Sequence, residues 1–109
     1  EMAQASGAAF HFAFSRMPFV SCARKYAEQW SFPGGAFDNR LYFGSQVHFD
    51  PGIDEANQML LFDPQTSGGL LLSVPAGQGE PFLAAAAETG QPAWEVGEVH
   101  SGSGIRVLP

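Results

Sequence analysis

"FDPQTSGGLLLSVP", residues 62 to 75, joins a helix stop to an apolar run. Asp63 precedes a proline, which pushes it out of the helical region and closes the segment ahead of it. Gln65, Thr66 and Ser67 then offer an amide and two hydroxyls. Gly68 and Gly69 permit backbone geometry barred to other residues and let a ligand approach the main chain. Successive amides in such a turn can form an anion-binding nest, and Asp63 offers oxygen to a hard cation. The same residues also make an ordinary corner, in which hydroxyls bond their own backbone and glycines turn the chain. No lysine or arginine lies near the loop in sequence, which weakens a phosphate-binding role.

Outward from this loop the chain alternates helix and strand. "GGLLLSVP" predicts a strand. Upstream, "PGIDEANQMLLF" predicts a helix with Asp54 as N-cap and Ile53, Ala56 and Leu60 along one side. Downstream, "EPFLAAAAETG" predicts a helix with Pro81 in its first turn and Gly90 as C-cap. "AWEVGEVH" and "IRVLP" predict strands around "SGSG". Nearer the start, Phe10, Phe12 and Phe14 alternate with smaller or polar residues, the period of a half-buried strand. Pro18 suits a helix start, and Phe19, Ala23, Tyr26, Ala27 and Trp30 follow at helical spacing. "SFPGGAFDNR" predicts a loop, and "RLYFGSQVHFD" an extended segment broken near Gly44 and Ser45. "EMAQASG" predicts the last turns of a helix capped by Gly7, and a chain that opens so is expected to be part of something longer. This order predicts an α/β domain, its helices packed on a mixed sheet. Antiparallel pairs are expected within 40–49 and 93–108.

The 109 residues make one domain, and 45% are apolar, ten of them phenylalanine, enough for a core. Only 15% are charged, against about 25% in a typical domain. Such a surface fits one partly covered by another domain or subunit. The net charge of −6 and five scattered basic residues exclude a basic patch of the kind that nucleic-acid binding needs. No apolar run approaches a membrane span, and no signal peptide is visible. A single cysteine is compatible with a reducing cytoplasm.

A second candidate site is "FPGGAFDNR", where Gly34 and Gly35 permit a tight loop and Asn39 and Arg40 can bond a ligand or partner. His11, His48 and His100 stand far apart, outside any local zinc pattern, each expected on the less buried face of a strand. Cys22 is expected buried and inert on the first long helix. No nucleophile elbow, P-loop, dinucleotide fingerprint or zinc-protease motif is present. No residue of the chain is assigned a catalytic or metal-binding role.

The run Asp63-Pro64-Gln65-Thr66-Ser67-Gly68-Gly69-Leu70-Leu71, with the segment ending at Val74-Pro75, resembles the C-terminal domain of the selenophosphate synthetases (selenide, water dikinases). The resemblance extends to "EMAQASG", "FPGGAFDNR", "FDPGIDEANQMLLF" and "AWEVGEVHSGSGIRV", and so covers essentially the whole chain. It implies the C-terminal-domain fold of the aminoimidazole ribonucleotide synthetase superfamily. It also implies a parent enzyme, a cytoplasmic homodimer, that uses ATP and Mg2+ to convert selenide to selenophosphate with AMP and phosphate. The family's nucleophile, metal-binding carboxylates and main ATP contacts belong to an N-terminal domain, and Cys22 does not match the reactive position. A piece without them is expected to be inactive alone and to bind neither ATP nor Mg2+ tightly. The expected role of Gln65–Gly69 is to close one side of the site, near phosphates or the interdomain cleft. Phe37 and Asp38 stand where relatives often carry basic residues, which puts anion contact by that loop in doubt. Other members of the superfamily, a purine-pathway synthetase or a hydrogenase-maturation protein, are alternatives. The latter usually continues with Gly-Thr where this chain has Gly68-Gly69. A non-catalytic binding or dimerisation module is a further alternative.

Overall fold

A computed structural model describes all residues, Glu1–Pro109. Five helices and four strands follow one another as α1 (Met2–Ser6), β1 (Ala8–Ala13), α2 (Ala23–Glu28), α3 (Gly34–Phe43), β2 (Val47–Phe49), α4 (Glu55–Leu60), α5 (Gly79–Glu88), β3 (Gly97–Ser101) and β4 (Gly104–Leu108). Short 3-10 turns follow β1 and α3. The strands form one mixed sheet in the order β2-β4-β1-β3. β4 runs parallel to both β1 and β2, and β3 runs antiparallel to β1. The expected α/β class with a mixed sheet is what the chain adopts.

The expected antiparallel pair at the end of the sequence does not form. β1 lies between β3 and β4, so the link joining them must pass over it. Gly102 and Gly104 make this crossing, with φ of 123° and 86°, values that side chains rarely tolerate. A Cβ on Gly102 would lie 3.5 Å from that of Ala9, so the small, buried Ala9 is what lets the link pass close. Residues 40–49 form no hairpin either. They divide into the end of α3, a 3-10 turn over Gly44–Gln46 and β2.

One face of the sheet is apolar. Register aligns Val47 with Ile105, Phe49 with Val107, and Phe10 and Phe12 with the same two β4 residues. Phe14, Ile53 and Val107 are buried together against Phe19, Val47, Phe49, Leu61 and Ile105. Ala36, Met59 and Phe62 make a second buried cluster that shares Val47 and Phe49. These two β2 residues therefore tie α3 and α4 to the sheet. Of the residues expected to face inward here, Ile53, just ahead of α4, is buried while Ala56 and Leu60 are half-buried. Met59, on the same helix, is the fully buried one.

Local signals at helix ends hold in most places. Gly7 takes the left-handed conformation after α1 (φ 61°). The Asp54 carboxylate accepts the Asn57 amide at 2.9 Å, a side-chain N-cap. Gly90 has φ 69° just past α5, and Pro81 lies in that helix's first turn. Other expectations fail. The helix expected from Pro18 starts only at Ala23, after Cys22 adopts φ 71°. Cys22 is exposed ahead of the helix, not buried on it. The loop expected at 31–40 is largely helix: Pro33, with extended backbone, serves as N-cap, and Gly34 and Gly35 form the first turn of α3. The strand expected at 68–75 does not form either. That segment pairs with nothing, and Leu70 is 88% exposed. Its apolar side chains are strand-like, but no sheet edge engages its backbone.

β3 approaches β1 most closely at Gly97, where an added Cβ would overlap the His11 carbonyl and lie 2.9 Å from Phe12 Cα. Gly97→Ala is expected to cost about 1–3 kcal/mol through overpacking against backbone, read as a lower urea midpoint at unchanged m-value. Asp54→Ala is expected to cost about 1 kcal/mol by the same measurement, through loss of the cap.

Candidate functional site

The two glycine-bearing stretches, about thirty residues apart in sequence, meet in space. Packing of α3 on α4 brings the start of α3 onto the chain leaving α4. Gly35 lies against Pro64, so closely that a Cβ there would stand 3.1 Å from Pro64 Cγ. One turn along α3, Asn39 Nδ2 donates to the Phe62 carbonyl at 2.9 Å. That carbonyl lies two residues beyond α4. Asn39 thus ties α3 to the chain leaving α4 and fixes where the next loop begins. Arg40 pairs with Glu55 at 2.7 Å, but both side chains are substantially exposed. A pair of this kind contributes at most about 1 kcal/mol and chiefly orients α3 against α4.

Beyond Phe62 the loop folds on itself. Gln65 Nε2 donates to the Asp63 carboxylate, and the Gln65 side chain lies over Gly68, where a Cβ would meet Gln65 Oε1 at 3.2 Å. A side chain at Gly68 would displace Gln65. Thr66 and Ser67 are exposed, and neither hydroxyl bonds another group of the chain. No backbone hydrogen bond engages the amides from Gln65 to Gly69. Gln65 and Asp63 therefore stiffen the loop, while its donors and hydroxyls stay open to whatever faces them.

A cleft of about 790 Å³ opens beside this junction. Asn39, Phe62 and Asp63 form one wall, and Gln4, Gln46, His48 and Ser103 contribute polar groups from other segments. The cleft sits at the beginnings of β1, β2 and β4, which run in the same direction. Gln4, Gln46 and Ser103 carried no sequence signal, because each is an ordinary residue in its own segment and only the topology assembles them. Arg40, expected to bond a ligand or partner, faces Glu55 instead and lies outside the cleft wall. Thr66, Ser67, Gly68 and Gly69 also lie outside it.

No three His, Cys, Asp or Glu side chains gather as a metal site. Mg2+ is usually held by one or two carboxylates together with substrate phosphates. Here the single candidate, Asp63, is engaged by Gln65, and the one nearby cation, Arg40, is engaged by Glu55. These residues do not fit a metal ion or a triphosphate held by this chain alone.

Residues 1–108 match the family model described as AIR synthase related protein, C-terminal domain. The chain belongs to that family. The AIR synthase related domain is also similar to proteins named selenide, water dikinase. Its identity to that of Pelobacter propionicus is 39% over 100 residues, 91% of this chain and 29% of the relative. With that of Nitratidesulfovibrio vulgaris it is 36% over 110 residues, covering 99% and 31%. With that of Myxococcus xanthus it is 38% over 109 residues, again 99% and 31%. The domain thus spans less than a third of the length of these relatives. No helix of the domain is long and apolar enough to cross a membrane.

If the α3–α4 junction sets the loop, Asn39→Ala should leave a half-buried carbonyl unpaired at a cost of about 1–3 kcal/mol. The accompanying sign is faster exchange of the Leu61, Phe62 and Asp63 amides, which are bonded to the last turn of α4, measured by hydrogen–deuterium exchange.

Proposed function

We propose that this domain closes the active site of an ATP-dependent selenophosphate synthetase, which converts ATP, selenide and water to selenophosphate, AMP and phosphate. In this reading a preceding N-terminal domain supplies the nucleophile, the carboxylates for Mg2+ and the principal ATP contacts, and the parent works as a cytoplasmic homodimer. The observation that carries it is the Asp63–Gly69 loop. It is anchored by Asn39 and Pro64 on one side, stiffened by Gln65, and left with unbonded hydroxyls and amides at its tip. In phosphoryl transfer the protein's contribution is almost entirely positioning and charge stabilisation. Rigid, neutral donors can contribute to both without carrying a charge of their own. The similarity to selenide, water dikinases along nearly the whole chain supports the choice of substrate.

The surface supports a covering domain. The accessible area is 7704 Å², whereas a compact monomer of this mass exposes about 5,800 Å². Val20, Leu41, Tyr42 and Leu70 are each more than 70% exposed. Apolar exposure on this scale supports that reading. A non-catalytic binding module is the second reading, and the Gln65–Asp63 bond favours it, since that bond is what a purely structural corner would make.

The two readings separate in the full-length parent. Thr66→Ala combined with Ser67→Ala is expected to lower kcat/KM for ATP by at least about tenfold, equivalent to about 1.4 kcal/mol of transition-state stabilisation. Turnover and ATP affinity equal to those of the parent protein would sink the closing role and leave the corner.

A further inference from the structure

The sheet face opposite the helices is polar, and register assembles on it residues that lie far apart in sequence. His48 on β2 pairs with Arg106 on β4, Arg106 with His11 on β1, and His11 with Glu98 on β3. Residues paired across strands share a face, with side chains about 5 Å apart at their bases. The four therefore form one row across the whole sheet. His100, also on this face of β3, stacks its ring 4.4 Å from that of His11 and places Nε2 3.3 Å from a Glu98 carboxylate oxygen. Glu98 is thus occupied at the β3 end of the row.

Arg106 is exposed and has no carboxylate partner. Arg16 and Arg40 each have one, and Arg24 lies over the rings of Phe14 and Phe19. In a chain with eleven acidic residues and a net charge of −6, the guanidinium on an inner strand is left between two imidazoles. All three side chains can donate hydrogen bonds to one anion lying above the row. The guanidinium presents a planar fork matched to phosphate oxygens, and an imidazole on either side adds a donor. On the same face Ala9 and Ala13 flank His11, while Gly104 precedes Arg106 by one pleat and the exposed Leu108 follows it by one. The Arg106 side chain stays exposed among them.

We propose that His48, Arg106 and His11 form a binding site for a small tetrahedral oxyanion of the phosphate class on the open face of the sheet. Arg106 holds two of the oxygens and the imidazoles hold the others. Glu98 confines the anion to the β2 side of the row. His48 also lines the cleft that Asp63 borders, but the anion site does not depend on the role given to the Asp63–Gly69 loop.

The chain has three histidines, so three imidazole proton signals report on the site in a nuclear magnetic resonance titration of the 109-residue chain. Inorganic phosphate, added at constant ionic strength and near-neutral pH, is expected to shift His11 and His48 along one saturable curve that chloride does not reproduce. Arg106→Gln, a change at an exposed side chain, should weaken the fitted affinity at least about tenfold. Arg106→Lys keeps the charge without the fork and should fall between the two. Shifts that rise linearly with phosphate and match those in chloride would overturn the proposal. So would an affinity unchanged in both Arg106 variants while the histidine signals keep their dispersion.

Discussion

The structure depends on β4 lying between β1 and β2. Ile105 and Val107 are the residues on which both neighbouring strands register their apolar side chains. Val107 is almost fully buried in the cluster with Phe14 and Ile53. Without β4, β2 would have no partner, and α3 and α4 would lose Val47 and Phe49 as their floor. The position of β4 in turn requires the link after β3 to cross β1, so the fold rests on Gly102, Gly104 and the small side chain of Ala9. This is a steric constraint more than an energetic one, since a larger residue at any of the three would meet strain or a neighbour.

The Asp63–Gly69 loop follows from that floor at one remove. β2 carries α3 and α4, their contact places Asn39 at the end of α4, and Asn39 sets the start of the loop. Loops that bind are useful when a rigid scaffold positions them. Here the scaffold reaches only as far as Pro64 and Gln65. The apolar stretch that follows makes no ladder, and α5 buries none of its residues. The domain is therefore firm on one side of the loop and unsupported on the other.

Much of this was legible in the sequence where the signal was local. Asp54, Gly7, Pro81 and Gly90 mark helix ends by their own chemistry, and each acts as such. The alternation of Phe10 and Phe12 announced β1. What could not be read was decided at a distance. Gly34 and Gly35 signal a turn, yet they start a helix, because Pro33 provides the extended cap and Pro64 packs on the helix surface. Leu70 to Leu72 signal a strand, yet a strand exists only where an edge accepts it. The final strands look like a hairpin because sequence cannot show that β1 is inserted between them. At the site, the motif 63–69 stood out by composition, and its meeting with 34–39 did not. The row of His48, Arg106, His11 and Glu98 is invisible in the sequence, since register alone creates it.

The crossing over Ala9 has a kinetic side. β4 comes last of the four strands in the chain but holds an inner position in the sheet, and β1 must wait for partners roughly ninety residues away. Pairings this distant make folding slow, because loop closure precedes any reward from contact. A ribosome would release the helices and β2 well before the strand that organises them. During that interval the apolar faces of Phe10, Phe12, Val47 and Phe49 have no sheet to join. The domain is thus a natural client for whatever shields exposed apolar chain during synthesis, and its yield should respond more to the speed of translation near its end than near its beginning.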